Sequence, residues 1–277
     1  MKTVLKQILS KLAFSHNFYQ ALEKTYNFLT YSRFNGVSRS HLEALYDLIT
    51  TRHVNRDFRL IRVGSSNDGG YLMFKPMSPS CTVVSLGIAD NMDFEIELVN
   101  EKLVSAIFCF DGSIARLPEH HEAIDFKSKF IKVNESENSL SLSQVLAGID
   151  GEELILKIDI EGDEWDVLDG LTQPELNRFS QIIGEFHGLG SCNSDQGVRK
   201  MADLLQRISI DFHLVNSHAN NWASFRIIQG IAIPDVVELT FIRKNIFQAF
   251  PESAILDNSH IDLNAPCNPS RPDYLFK

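Results

Sequence analysis

Leu154-Ile155-Leu156-Lys157-Ile158-Asp159-Ile160-Glu161-Gly162-Asp163-Glu164-Trp165, residues 154–165, sets the reading of the whole chain. Leu154 to Ile158 is a short apolar run of the kind buried on both faces of a sheet. It stops at a cluster of carboxylates: Asp159, Glu161, Asp163 and Glu164. Burying carboxylates is costly unless they are paired, hydrogen-bonded or metal-bound, so the cluster is expected where the strand leaves the sheet. In open α/β sheets that carboxyl edge is where ligands bind. The segment is therefore expected to floor an active site.

Working outward, further strands are expected at 82–86, 106–110, 130–133, 181–186, 212–215 and 236–242. Helix-like stretches at 94–104, 140–147, 165–171 and 198–208 alternate with most of them, which predicts a parallel, doubly wound sheet. The last two strands have no clear helix between them, so an antiparallel finish is expected. Upstream, Phe58-Arg59-Leu60-Ile61-Arg62-Val63 alternates as a strand, and Asn67-Asp68-Gly69-Gly70 is a turn signal before Tyr71-Leu72-Met73-Phe74. A hairpin capping the main domain is expected there. The division is a helical N-terminal extension at 1–56, a main domain at 57–250 and an irregular tail at 251–277.

The chain has 277 residues, 44% of them hydrophobic, and a net charge of −10. The acidic balance argues against a dedicated nucleic-acid binder, which carries a basic face. No run approaches the ~18 apolar residues of a membrane span. Lys2, Lys6 and Lys11 break up the amphipathic start too often for a signal peptide. Cys81, Cys109, Cys192 and Cys267 show no CxxC spacing, which argues against a zinc site or a secreted disulfide framework. A cytoplasmic protein is expected. The oligomeric state stays open, and a homo-oligomer is compatible with this reading.

Three strand ends carry the remaining chemistry. The first gives Gly87-Ile88-Ala89-Asp90-Asn91, where a glycine directly after a buried strand permits close approach of a nucleotide-type ligand. The second gives Asp111, 24 residues beyond Gly87, near the ~20 expected for a carboxylate that binds ribose hydroxyls. The fifth gives Glu185-Phe186-His187, with Glu185 and His187 on one side of the strand. His218-Ala219-Asn220-Asn221 is a further polar cluster. Asp159, Glu185 and His187 are expected to converge, either as an acid/base group or as ligands of a divalent cation; His187 and His218 that merely satisfy buried groups are the third alternative. Lys157 is expected to pair with a neighbouring carboxylate.

Assembled, these residues resemble the FkbM-type family of S-adenosylmethionine-dependent methyltransferases. The match is carried by Leu156-Lys157-Ile158-Asp159-Ile160-Glu161-Gly162-Asp163-Glu164-Trp165, close to that family's LKxDxEGxE motif. Asp68-Gly69-Gly70-Tyr71, Gly87-Ile88-Ala89-Asp90 with Phe94-Glu95, Phe110-Asp111, Glu185-Phe186-His187 and His218-Ala219-Asn220-Asn221 support it. The resemblance covers roughly residues 60–245. It implies a Rossmann-like class I methyltransferase fold: seven strands, mostly parallel, with the last antiparallel. It also implies methyl transfer from S-adenosylmethionine to oxygen on a glycan or natural product, such as a capsule or other surface polysaccharide precursor. Gly87, Asp90 and Asn91 would lie along the methionine end of the cofactor. Asp111 would lie on its ribose, Asn134 or Glu135 near its adenine, and Asp159 at the reacting centre. The GxGxG common among methyltransferases after strand one is absent, with Ala89 and Asn91 at two of the glycine positions. His187 is the expected base, assisted by Asp159 and Glu185, with His218 as the alternative base. A metal on Asp159, Glu185 and His187 is the alternative device. Rival readings are a nucleotide-dependent oxidoreductase and a non-catalytic Rossmann-like binding module.

Overall fold

A computed structural model describes residues 36–50, 60–76, 78–151, 153–247 and 264–273. The strands are β1 (Leu60–Gly64), β2 (Gly70–Phe74), β3 (Thr82–Leu86), β4 (Ala106–Phe110), β5 (Ile124–Lys127), β6 (Phe130–Ile131), β7 (Ser139–Leu140), β8 (Leu154–Ile158), β9 (Phe179–His187), β10 (Phe212–Ala219), β11 (Phe225–Ile228), β12 (Ile231–Pro234) and β13 (Val236–Arg243). The helices are α1 (Arg39–Ile49), α2 (Asp93–Asn100), α3 (Leu142–Ala147), α4 (Glu164–Asp169), α5 (Gln173–Leu176), α6 (Asp195–Asp211) and α7 (Lys244–Phe247).

Seven strands form one sheet in the order β10-β13-β9-β8-β3-β4-β5. From β9 to β5 every neighbour is parallel. β13 runs antiparallel to both β9 and β10. This is the seven-stranded, mostly parallel Rossmann-like sheet that the sequence predicts, with the antiparallel finish in place.

Because side chains alternate across a strand, each central strand serves two cores. Val84, Leu156, Ile182 and Phe186 pack with Leu45 of α1, Leu146 of α3, Leu168 of α4 and Leu205 of α6. Val83, Ile107, Ile155 and Ile183 face the other way, onto Val63, Tyr71 and Met73 of the β1–β2 hairpin and Phe94 and Leu98 of α2. Buried on both faces, β8 can be apolar throughout up to Lys157.

The expected hairpin is present, and polar side chains of the sheet hold it. Gln181 Oε1 accepts from the Phe74 amide at 2.9 Å, and its Nε2 donates to the Phe74 carbonyl at 2.8 Å. The Thr240 hydroxyl donates to the Leu72 carbonyl at 2.6 Å. The hairpin thus lies across β9 and β13 and stands above their carboxyl-edge residues.

Two strand expectations need correction. The third parallel strand is β5, at 124–127, and not 130–133; Phe130–Ile131 instead pairs with Ser139–Leu140 in a separate two-stranded ribbon. β5 is a four-residue edge strand with exposed Asp125 and Lys127, so it lacks the apolar signature of its inner neighbours. A second hairpin, β11–β12, stands between β10 and β13, where no element was expected. Of the predicted helical extension, α1 lies within the described residues; 1–35 and 51–59 lie outside them. Of the tail, 264–273 is described and has no helix or strand, while 251–263 and 274–277 lie outside. No helix among the described residues is long and apolar enough to cross a membrane.

Replacing Gln181 with Leu strips both amide bonds from Phe74 in a buried setting. The expected cost is about 2 kcal/mol in urea denaturation, with faster amide exchange across residues 70–74.

Candidate functional site

The loops leaving β3, β4 and β8 enclose a cleft of about 550 Å3. Gly87 follows β3 at φ +81°, and a Cβ there would lie 1.7 Å from the Asp159 carbonyl oxygen. Only glycine lets the two loops approach this closely. The Gly87 amide donates to the Phe110 carbonyl at 2.9 Å, and the Asp159 amide to the Leu86 carbonyl at 3.0 Å. Lys157 donates to the Gly87 carbonyl and lies 5.5 Å above the Tyr71 ring. Its contact is thus a backbone oxygen rather than the neighbouring carboxylate expected from sequence.

Asp111 sits at the end of β4 as expected, but its carboxylate is already engaged. Oδ2 accepts from the amides of Ile88 and Ala89, both at 2.8 Å. Oδ1 accepts from the Ser113 amide at 2.7 Å and the Ser113 hydroxyl at 2.6 Å. A carboxylate offers about four acceptor sites, so this one is filled from within the protein. Burial alone would raise its pKa and oppose its ionisation. The Ala89 amide, the Ser113 hydroxyl and the Ile88 and Ser113 amides outweigh that and hold it below the usual carboxylate range. Asp111 clamps the loop after β3 in its turned form, in which Ala89 has φ +51°.

The carboxylates of the 154–165 stretch divide by role. Asp159 Oδ2 accepts from the Tyr71 hydroxyl at 2.9 Å. Glu161 has φ +60° and an exposed side chain. Glu164 is 0% exposed. Its Oε1 accepts from the amides of Ile160 at 2.9 Å and Gly162 at 3.0 Å, and it stands 3.1 Å from His187 Nδ1. Burial would raise Glu164, yet the His187 contact and charge and these amides hold it low. It both folds the loop and orients the imidazole.

His187, at the end of β9, presents Nε2 to Glu161 Oε2 at 3.5 Å and Glu185 Oε2 at 3.8 Å. Desolvation opposes its protonation, but Glu164, Asp159 and Glu185 raise its pKa to about 9. Glu185 accepts from Asn220 Nδ2 at 3.0 Å on both oxygens. Burial, then Asp159, Glu238 and Asp68, push Glu185 well above its ordinary value. Asp68, on the hairpin turn, is raised by burial and by Asp159 and Glu238. Burial and Asp159 likewise keep the Tyr71 hydroxyl protonated. The site therefore holds an imidazole that favours its protonated form beside Glu185, which is itself pushed up by burial and neighbouring acids, an arrangement able to store and move a proton. Asp159, Glu161 and His187 also offer donor atoms within 4.8 Å of one another, enough to hold a metal ion.

The predicted residues distribute unevenly. Gly87, Asp90, Asn91, Asp111 and Asp159 line the cleft. Asn91 Nδ2 also donates to Ser65 Oγ at 3.1 Å, tying the loop to the hairpin. Glu185 and His187 adjoin the cleft beside Asp159 and Glu161. His218 is 3% exposed, with Glu238 on Nδ1 and Asp273 on Nε2, and both nitrogens are thereby occupied. Asn134 and Glu135 do not line the cleft; the Asn134 carbonyl accepts from Ser139 Oγ and Glu135 accepts from Ser141 Oγ. They follow 130–133, which is not the third strand. The residues that do follow that strand, Lys129 and Phe130, line the cleft. Phe130 is 43% exposed, and its ring occupies the space a Cβ on Gly112 would need, 2.3 Å away. Sequence reasoning missed Phe130, Asp68, Tyr71 and the orienting role of Glu164. The motif's closing acid was the available signal for Glu164.

No protein-family model matches the chain, and no curated protein matches it. Among solved structures, the fibrillarin/Nop5p complex is similar at a TM-score of 0.38 and 11% identity, over 60% of this chain and 74% of that one. Sp1610 of Streptococcus pneumoniae, provisionally named a tRNA (m1A22) methyltransferase and solved with S-adenosyl-L-methionine, gives 0.32 and 10%, over 82% and 78%. A provisionally named methyltransferase from Thermoplasma acidophilum gives 0.30 and 9%, over 62% and 77%. Likenesses this distant assign no activity.

Asp111→Ala should cost about 2 kcal/mol, because it removes the acceptor of four loop bonds, the buried Ile88 amide's among them. Since Asp111 is held low in the folded state, its contribution is complete above the ordinary Asp value near ~4. It is lost as pH falls through the lower folded value. Denaturant titrations across the acid range should therefore show a shallower acid loss in the variant.

Proposed function

We propose that this protein is an S-adenosylmethionine-dependent methyltransferase acting on a hydroxyl oxygen of an uncharged, glycan-like acceptor. The observation that carries the reading is the cleft at the carboxyl ends of β3, β4 and β8, in a seven-stranded sheet with a reversed last strand. About 550 Å3 is within the ~300–1,000 Å3 of small-molecule sites. Seven carboxylate side chains and two lysines line it, which favours a ligand with cationic centres. The sulfonium and amino groups of the cofactor are such centres. The exposed Phe130 ring offers a flat apolar surface for its purine, and Asp90 and Asn91 lie beside the loop after β3. A ribose hydroxyl would reach Asp111 Oδ1 by replacing the Ser113 hydroxyl. The same acidic lining disfavours polyphosphate acceptors such as RNA and supports a neutral polyol.

When bound, the cofactor supplies an electrophilic methyl group on sulfur. The chain's own residues align the acceptor and take its proton. Asp159, held by Tyr71, accepts a hydrogen bond from the attacking hydroxyl, and His187 Nε2 receives the proton once the imidazole is neutral. Glu164 keeps Nδ1 fixed throughout. With its pKa about 9, roughly one imidazole in a hundred is neutral at pH 7. The convergence of Asp159, Glu161 and His187 favours a second reading, in which a divalent cation held there polarises the hydroxyl.

Calorimetry with S-adenosylmethionine, run against NADH with and without EDTA, tests the cofactor. Binding of the former alone is expected. Neither binding would leave the non-catalytic module, and NADH binding would favour the oxidoreductase. Transfer of labelled methyl to neutral oligosaccharides, compared with tRNA, tests the acceptor, and transfer to tRNA alone would overturn that half. If His187 is the base, kcat/KM should climb with pH and level off near pH 9. His187→Gln should lower kcat by roughly 10²- to 10⁴-fold and abolish that rise. Loss of turnover in EDTA would select the cation reading.

A further inference from the structure

We propose that His218, Glu238 and Cys267 bind a divalent transition-metal ion, zinc foremost, that staples the 264–273 segment to the sheet. The proposal is independent of the cofactor reading and concerns a cluster separate from Asp159, Glu161 and His187. His218 on β10 and Glu238 on β13 are register partners, and Cys267 comes from the irregular segment. His218 Nδ1 lies 3.1 Å from Glu238 Oε2, and Cys267 Sγ 3.1 Å from Glu238 Oε1. One donor atom from each residue lies within 4.8 Å of the other two, and all three residues are buried.

A tetrahedral ion with bonds of about 2.0–2.3 Å needs ligand atoms about 3.3–3.8 Å apart, and with the donors within 4.8 Å of one another side-chain shifts of up to about 1 Å would admit it. The donor set of thiolate, imidazole and carboxylate suits zinc and its neighbours rather than calcium or magnesium. The far nitrogen supplies a second, independent feature. His218 Nε2 lies 3.0 Å from Asp273 Oδ1, the outer carboxylate that usually orients a metal-bound imidazole. Binding exchanges the Cys267 thiol proton, and any proton on Nδ1, for the ion, and releases them to solvent. A water completes the fourth position.

The role follows from what the ligands join. Segment 264–273 has no regular structure and is held by side chains such as Asn221, whose Nδ2 donates to the Asn268 carbonyl at 2.9 Å. Asn67 Nδ2 similarly donates to the Pro266 carbonyl at 2.8 Å. An ion bonded to Cys267 would tie that segment to two strands at once. The absence of CxxC spacing does not bear on a site that takes a single cysteine.

The test uses the full chain, stripped with EDTA and reloaded with Zn2+ or Co2+. Elemental analysis after gel filtration should find one zinc per chain. Co2+ should give a thiolate-to-metal charge-transfer band that is lost in Cys267→Ser and kept in His187→Gln. Zn2+ should raise the Tm of wild type but not of Cys267→Ser, a near-isosteric change whose folding circular dichroism confirms. Asp273→Ala should weaken zinc affinity roughly 10- to 100-fold. Failure to retain metal, a Co2+ spectrum without the thiolate band, or a band that survives in Cys267→Ser would each overturn the proposal. So would zinc retention that is lost in His187→Gln and kept in Cys267→Ser, since that assigns the ion to the other trio.

Discussion

The buried carboxylate of Glu164 is the fixed point on which the rest of the site depends. An anion with no solvent exposure survives only when amides and a cation surround it, and here the amides of Ile160 and Gly162 and the ring of His187 do so. Those partners belong to the exits of two adjacent parallel strands, β8 and β9. Satisfying one charge therefore sets the 159–163 turn and the imidazole orientation together. Trp165 adds a bond on the same seam, its indole N–H donating to the His187 carbonyl at 2.7 Å.

From that seam a row of ionisable side chains continues across the sheet. Register pairs Glu185 with Glu238 and Glu238 with His218, so three neighbouring strands present charged groups at one level. The hairpin completes the enclosure from above with Asp68 and Tyr71. Burial, and then the proximity of these acids, raises Asp68 and Glu185, while His187 is raised first by its contact with Glu164 and then by Asp159 and Glu185. On the opposite flank Asp111 shows the contrary effect, since amides rather than acids surround it. Similar carboxylates thus ionise differently within one cleft because of what faces them.

Much of this was legible in the chain. Apolar runs buried on both faces announce β3, β4, β8 and β9, and the abrupt change at Asp159 marks the sheet edge. Alternation in Glu185-Phe186-His187 correctly put the acid and the imidazole on one side. The edge strand β5 was illegible because only one neighbour covers it, and its Asp125 and Lys127 face solvent. That slip carried the adenine-side expectation to Asn134 and Glu135 instead of Lys129 and Phe130. The β11–β12 hairpin did carry a signal: Gln229-Gly230, both at positive φ, sits between Phe225–Ile228 and Ile231–Pro234. The internal bonding of Asp111 carried none, since no spacing rule says which donors a carboxylate will meet.

The placement of β13 has a consequence for how the molecule comes into being. β13 hydrogen-bonds to β9 on one side and β10 on the other, yet it follows both in the chain. During synthesis from the N-terminus, the facing edges of β9 and β10 stay unpaired until residues 236–243 emerge. Unpaired apolar edges of this kind invite pairing with other chains. A nascent chain short of residue 236 already contains Gly87, Asp111 and Asp159, while Glu238 and the strand that aligns His218 with Glu185 are still missing. The cleft's own lining thus emerges before the strand that completes the row of charged groups beside it.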